Sequence, residues 1–126
     1  MLLLASIFPL SAANHKALTE TEKIEALLQK VEGLKDAVFI RNGSGHDAKT
    51  AAKFLRGKWE NMGKDIKTAA EFIEKIASKS STTGKPYVIR FTDGHEVQCG
   101  DFLKAELKKL EALPAGREQT NSVPGA

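Results

Sequence analysis

The segment Tyr87–Cys99, YVIRFTDGHEVQC, folds as an antiparallel hairpin in a register that one test decides. Side chains alternate between the two faces of a strand, so a slip of one residue exchanges the faces. A two-residue loop at Asp93-Gly94 sets Ile89 opposite Gln98 and Arg90 opposite Val97, mixing polar with apolar on both sides. A three-residue loop, Thr92-Asp93-Gly94, places the glycine at the left-handed position of a bulged turn. It pairs Ile89 with Val97, Tyr87 with Cys99 and Arg90 with Glu96, giving one apolar face and one face with an ion pair. The chain is therefore committed to an antiparallel sheet, and Cys99 to its apolar side as a buried, inert thiol.

Helices must cover that side. Thr19-Glu20-Thr21-Glu22 is a capping box, in which the hydroxyl takes the N3 amide and Glu22 reaches back to the cap. Ile24, Leu27, Leu28 and Val31 follow at helical spacing, and Gly33 reads as a left-handed C-terminal cap. Ala37–Arg41 reads as a strand closed by an Asn42-Gly43 turn. Asp47 opens a second helix with Ala48, Ala51, Ala52, Leu55, Trp59 and Met62 on one face and Lys49, Lys53, Arg56 and Glu60 on the other, and Gly63 ends it. Thr68–Glu71 is a second capping box, leading into Phe72, Ile73, Ile76 and Ala77 and a helix end near Ser80. Asp101 caps the last helix, with Phe102, Leu103, Leu107 and Leu110 inward and Pro114 beyond its end. The expected class is α+β: about four helices on a small antiparallel sheet of two to three strands, Val38–Arg41 joining the hairpin because it otherwise leaves an apolar edge unpaired.

The opening MLLLASIFPLSAANH is uncharged and ends in a small-x-small pattern at Ser11-Ala12-Ala13, which predicts an export signal cleaved after Ala13. Its apolar run is far shorter than the roughly 20 residues that span a bilayer, so no transmembrane helix is expected. The basic start of such a signal is missing, which points to a start codon upstream. Residues 14–112 form the expected domain, and the polar tail 113–126 is expected to be disordered. With 126 residues, 41% hydrophobic and 28% charged, the chain fits one core. Cys99 is the one cysteine, which excludes an internal disulfide. A net charge of +3 is compatible with an anionic partner and too weak to indicate nucleic acid.

No catalytic constellation stands out. His15, His46 and His95 lack metal-ligand spacing, so neither a metal nor a cofactor is expected. Gly84-Lys85 has the end of a phosphate-binding loop without its first glycine, and Pro86 follows the lysine where a hydroxyl belongs. The run Ser78–Lys85 has two readings. Its hydroxyls can bond their own backbone at a helix end, or Ser80, Ser81, Thr82, Thr83 and Lys85 can face a carboxylate or phosphate. The stripe Lys49, Lys53, Arg56 is either a solvated helix face or part of such a surface. Gly57 beside it marks close packing or close approach by a partner.

The strings FIRNG (39–43), FLRGKW (54–59) and TAAEFIEKIASKSSTTGKPYVIR (68–90) resemble the YfeK-like family, small exported bacterial proteins of unknown function. The resemblance spans about residues 18–110 and implies a periplasmic location in a Gram-negative bacterium. It draws attention to Arg41, Asn42, His46, Arg56, Lys58, Ser80, Ser81, Gly84, Lys85 and Tyr87. Phe54 stands where the family pattern leads one to expect histidine, which weakens any histidine-based chemistry here. The leading functional expectation is a non-enzymatic binding or interaction module whose candidate residues are Arg41, Asn42, His46, Arg56, Ser80, Ser81, Lys85 and Tyr87. Its partner would be an envelope protein or a small anionic ligand. Two alternatives stand beside it: an envelope hydrolase or transferase using a serine of the 78–81 run with His46, and an immunity or antagonism protein.

Overall fold

The computed structural model describes residues 17–113; the leader, its cleavage point, His15 and the tail beyond residue 113 lie outside them. Helix α1, Glu20–Gly33, starts at the Thr19 capping box, with the Thr19 hydroxyl accepting from the Glu22 amide at 3.1 Å and Glu22 accepting from the Thr19 amide at 2.8 Å. Strands β1, Val38–Arg41, and β2, Ser44–His46, form a hairpin. Helix α2 runs Ala48–Met62 and α3 is Ala69–Phe72, continued by a π-helical turn, Ile73–Ala77. Strands β3, Val88–Arg90, and β4, Glu96–Gln98, lead into α4, Cys99–Ala112. The sheet is antiparallel, ordered β2-β1-β3-β4, with Phe39, Tyr87, Ile89 and Cys99 buried under the helices.

The class is α+β as expected, and β1 does join the hairpin. The β3–β4 register is also the one the face pattern demands, with Ile89 opposite Val97, Arg90 opposite Glu96 and Gly94 at φ +93°. The sheet has four strands and not two to three. The added strand, Ser44-Gly45-His46, has no strand-forming composition. It exists because Asn42 at φ +50° and Gly43 at φ +81° make a two-residue hairpin turn between Arg41 and Ser44.

Three helix ends differ from expectation. Gly33 is not left-handed; Leu34 leaves α1 at φ −83° with its amide bonded to Val31 O. Gly63, at φ −53°, carries α2 on into a 3₁₀ turn, Gly63–Asp65, which ends at buried Ile66. Asp101 does not cap α4, because the helix begins two residues earlier. The Cys99 amide donates to Tyr87 O at 2.8 Å, so β4 passes into α4 without a side-chain cap.

Ile24, Leu27, Leu28 and Val31 of α1, Ala48, Ala52 and Leu55 of α2, Phe72, Ile73 and Ile76 of the third helical segment, and Leu103 and Leu107 of α4 form a single core. Fully burying one such leucine or isoleucine contributes about 1.5–3 kcal/mol. Trp59, partly buried, packs edge-on against the core at Phe72, at 5.9 Å between ring centres. Polar ties fix the helices at their rims. The Glu20 carboxylate accepts from the Ala69 amide at 2.8 Å, capping α3 from α1, and that bond together with Lys23 holds its pKa below the usual value. Glu106, buried in α4, lies between Lys30 and Lys109. No helix among the described residues is long and apolar enough to cross a membrane.

Candidate functional site

Alternation along β1 puts Phe39 and Arg41 on the same face of the sheet, and the hairpin register sets His46 beside Phe39. The first half of α2 crosses that face and brings Thr50, Ala51, Phe54 and Leu55 opposite. Between the two walls lies a largely apolar cavity of about 100 Å³, floored by Tyr87 and Cys99.

Arg41 is one of its lining residues. The guanidinium carbon sits 4.4 Å above the centre of the Phe54 ring, which meets the Tyr87 ring edge-to-face at 6.1 Å. A cation over an aromatic face gains about 0.5–2 kcal/mol, more where water is excluded. The Arg41 Nε is buried and, among the described residues, has no hydrogen-bond partner. Such a group costs about 1–3 kcal/mol relative to a satisfied one. Below, Lys58 fixes Tyr87: its Nζ donates to the phenol oxygen at 3.1 Å, to Ile76 O at 3.0 Å and to Lys79 O at 3.1 Å. Cys99 contributes only a wall, since burial pushes its thiol up to about 12 and keeps it protonated.

The hydroxyl-rich run is a closed turn. Ser80 N donates to Lys85 O and Gly84 N to Ser80 O, each at 2.9 Å, and Gly84 takes φ +76°, which favours glycine. Ser80 is 2% exposed. Its Oγ accepts from Asn42 Nδ2 at 3.2 Å and from the amides of Thr82 and Thr83 at 3.2 and 3.3 Å, which leaves its own proton for Thr82 Oγ1 at 3.0 Å. Thr83 Oγ1 donates to Asn42 Oδ1 at 2.6 Å. The reading in which the hydroxyls bond within the chain describes Ser80, Thr82 and Thr83. Asn42 clasps the turn from the tip of the β1–β2 hairpin.

The candidate residues thus separate. Arg41, His46 and Tyr87 line the cleft, Asn42 and Ser80 form the clasp, and Ser81 and the Lys85 side chain are exposed on the turn. Arg56 lies elsewhere: its two terminal nitrogens hold the Glu25 carboxylate at 2.9 and 2.8 Å, joining α2 to α1. That pair lowers the Glu25 pKa, the hydrogen bond being the larger cause. The space beside Gly57 is open, since a Cβ there meets nothing within 4 Å, so the close-packing reading of this glycine does not hold.

Among the described residues no hydrogen bond joins His46 to Ser78, Ser80 or Ser81: Ser78 Oγ donates to Ile73 O at 2.6 Å, and Ser80 is engaged as above. Two members of the cleft were missed in the sequence. Phe54 stands one residue off the apolar stripe of α2, an exposed aromatic that marks a second contact face. Thr50 carries no signal that separates it from a solvated position.

The family described as "Family of unknown function (DUF5329)" matches residues 18–111. The chain is also 46% identical, over 68 residues, to "Uncharacterized protein YfeK" of Salmonella typhimurium. The aligned part is 54% of this chain and 57% of that relative, so the chain spans little more than half of the relative's length. No solved structure matches.

Proposed function

For a chain that belongs to the DUF5329 family, whose function is unknown, we propose a role as a non-enzymatic binding module that takes a carboxylate attached to a small apolar group in the cleft of Arg41, Phe54 and Tyr87. The observation that carries this reading is the buried Nε of Arg41, which has no partner among the described residues, on a side chain lining an apolar cavity. A small rotation of the guanidinium offers Nε–H and one terminal N–H to the two oxygens of one carboxylate, the bidentate geometry that suits this group. The apolar part of the ligand then rests against Phe39, Ala51 and Leu55. Binding relieves the unpaired donor, so the site favours an acid over its neutral amide. Chemistry on the ligand would need a nucleophile and an oriented base. The cleft's thiol is held protonated, and His46 has no hydrogen-bonded carboxylate to orient it among the described residues. Arg56, engaged with Glu25, is not part of this site. The expected compartment is the periplasm, on the strength of the N-terminal sequence.

Titration of ¹⁵N-labelled protein with isovalerate tests this, read at the arginine Nε–H resonances, with isovaleramide as the neutral control. Arg41 Nε–H should shift saturably with the acid, with a dissociation constant around 1 mM, equivalent to about 4 kcal/mol, and not with the amide. Equal responses to acid and amide, or none in the folded protein, would overturn the reading.

A further inference from the structure

Resting on that carboxylate site, we infer that its natural occupant is the free C-terminus of a peptide, laid as a short additional strand along β2. The strand order leaves β2 at an edge of the sheet. Its closing pair, Arg41 and Ser44, exchanges hydrogen bonds across the two-residue loop, and such pairs alternate along an antiparallel ladder. Gly45, the next residue, therefore turns its N–H and C=O away from β1 towards the open edge. Gly45 has no side chain to screen these groups. It cannot readily carry one, because a Cβ would stand 2.9 Å from Val38 Cγ1.

A peptide residue bonded to Gly45 would face the outer side of the sheet, as Gly45 does. The residue after it would face the inner side, where Phe39, Arg41 and His46 lie. If that residue is the last, its side chain enters the cleft and its carboxylate meets Arg41. β2 is only three residues long, so the edge offers one outward-facing residue. Strand addition alone is too little to hold a peptide, and the terminal charge must supply the rest. The cavity, at about 100 Å³, is smaller than the roughly 150 Å³ that admits benzene, so it suits an aliphatic last side chain and not an aromatic one.

The test uses the full chain, ¹⁵N-labelled, with N-acetylated pentapeptides ending in valine, one as the free acid and one as the amide. A third peptide is N-methylated on the residue that would bond Gly45. The free acid should bind at least tenfold more tightly than either of the others, and should slow hydrogen exchange at the Gly45 amide. Arg41→Gln, checked for an otherwise unchanged amide spectrum, should remove the preference for acid over amide. If acid and amide bind alike, or if the acid binds without protecting Gly45, the peptide assignment is wrong. If isovalerate shifts Arg41 while no peptide binds, the site takes small molecules and only this inference falls. If neither shifts Arg41, the carboxylate reading falls with it.

Discussion

Replacing Gly57 with alanine should stabilise the domain. Gly57 lies inside α2, away from both ends, and is not among the glycines with positive φ. A Cβ there meets nothing within 4 Å, so no packing clash opposes the change. What remains is the helix-propensity difference between glycine and alanine, about 0.8–1 kcal/mol, which includes the smaller entropy of the unfolded alanine chain. For a domain of this size 1 kcal/mol moves the melting temperature by about 4–8 °C. The expected result is therefore a rise of several degrees by circular dichroism and a higher urea midpoint with an unchanged slope. An unchanged or lowered midpoint would refute the reasoning, because it would mean that the space beside Gly57 is filled in the folded protein.

Lys58→Met keeps the apolar stem but removes three donated hydrogen bonds, to Ile76 O, Lys79 O and Tyr87 Oη. With the site partly open to water, a loss of about 2 kcal/mol is expected in urea unfolding, with faster amide exchange between Ser78 and Tyr87. Asn42→Ala should cost about 1–2 kcal/mol, since it removes both clasp bonds and puts alanine at a positive φ. Asn42→Gly restores the backbone but not the clasp, and its urea midpoint should fall between the two. Acid should destabilise the fold through Glu20 and Glu25, whose pKa values are lowered by the Ala69 amide and by Arg56. Their contribution is fully present above the unfolded carboxylate value near 4.5 and is lost as pH falls through the lower folded values. Melting temperatures compared at neutral pH and below pH 4 should show a smaller acid loss in Arg56→Met than in the parent.

Much of the fold was legible because its signals are local and agree with one another. Both capping boxes, the bulged turn at Gly94 and the apolar stripes rest on residues three or four apart. The start of α4 was misread because a tertiary contact precedes the expected cap, Tyr87 O taking the Cys99 amide, whereas α2 at Gly63 tightens locally into a 3₁₀ turn and never turns left-handed. β2 escaped notice because Ser44-Gly45-His46 has no strand propensity of its own and is paired by its turn. At the site, Arg41 and Tyr87 were visible, but the sequence grouped them with Arg56. Only the fold shows that Arg56 of α2 pairs with Glu25 of α1, because that pair joins residues 31 apart. Phe54, read chiefly as a departure from a family pattern, is the ring on which Arg41 lies.

Arg41 and Asn42 part at a single peptide bond. Arg41 turns into the cleft, and Asn42, held at φ +50°, reaches the other way into the serine–threonine turn. β1 and β2 share only three residue pairs, and a hairpin that short is a weak platform for a charged side chain. The Asn42 clasp ties the tip of that hairpin to a turn whose own end is held by Lys58, and Lys58 also fixes Tyr87 at the floor of the cleft. The residue that the turn holds, Asn42, is the chain neighbour of Arg41, whose guanidinium lies over the Phe54 ring.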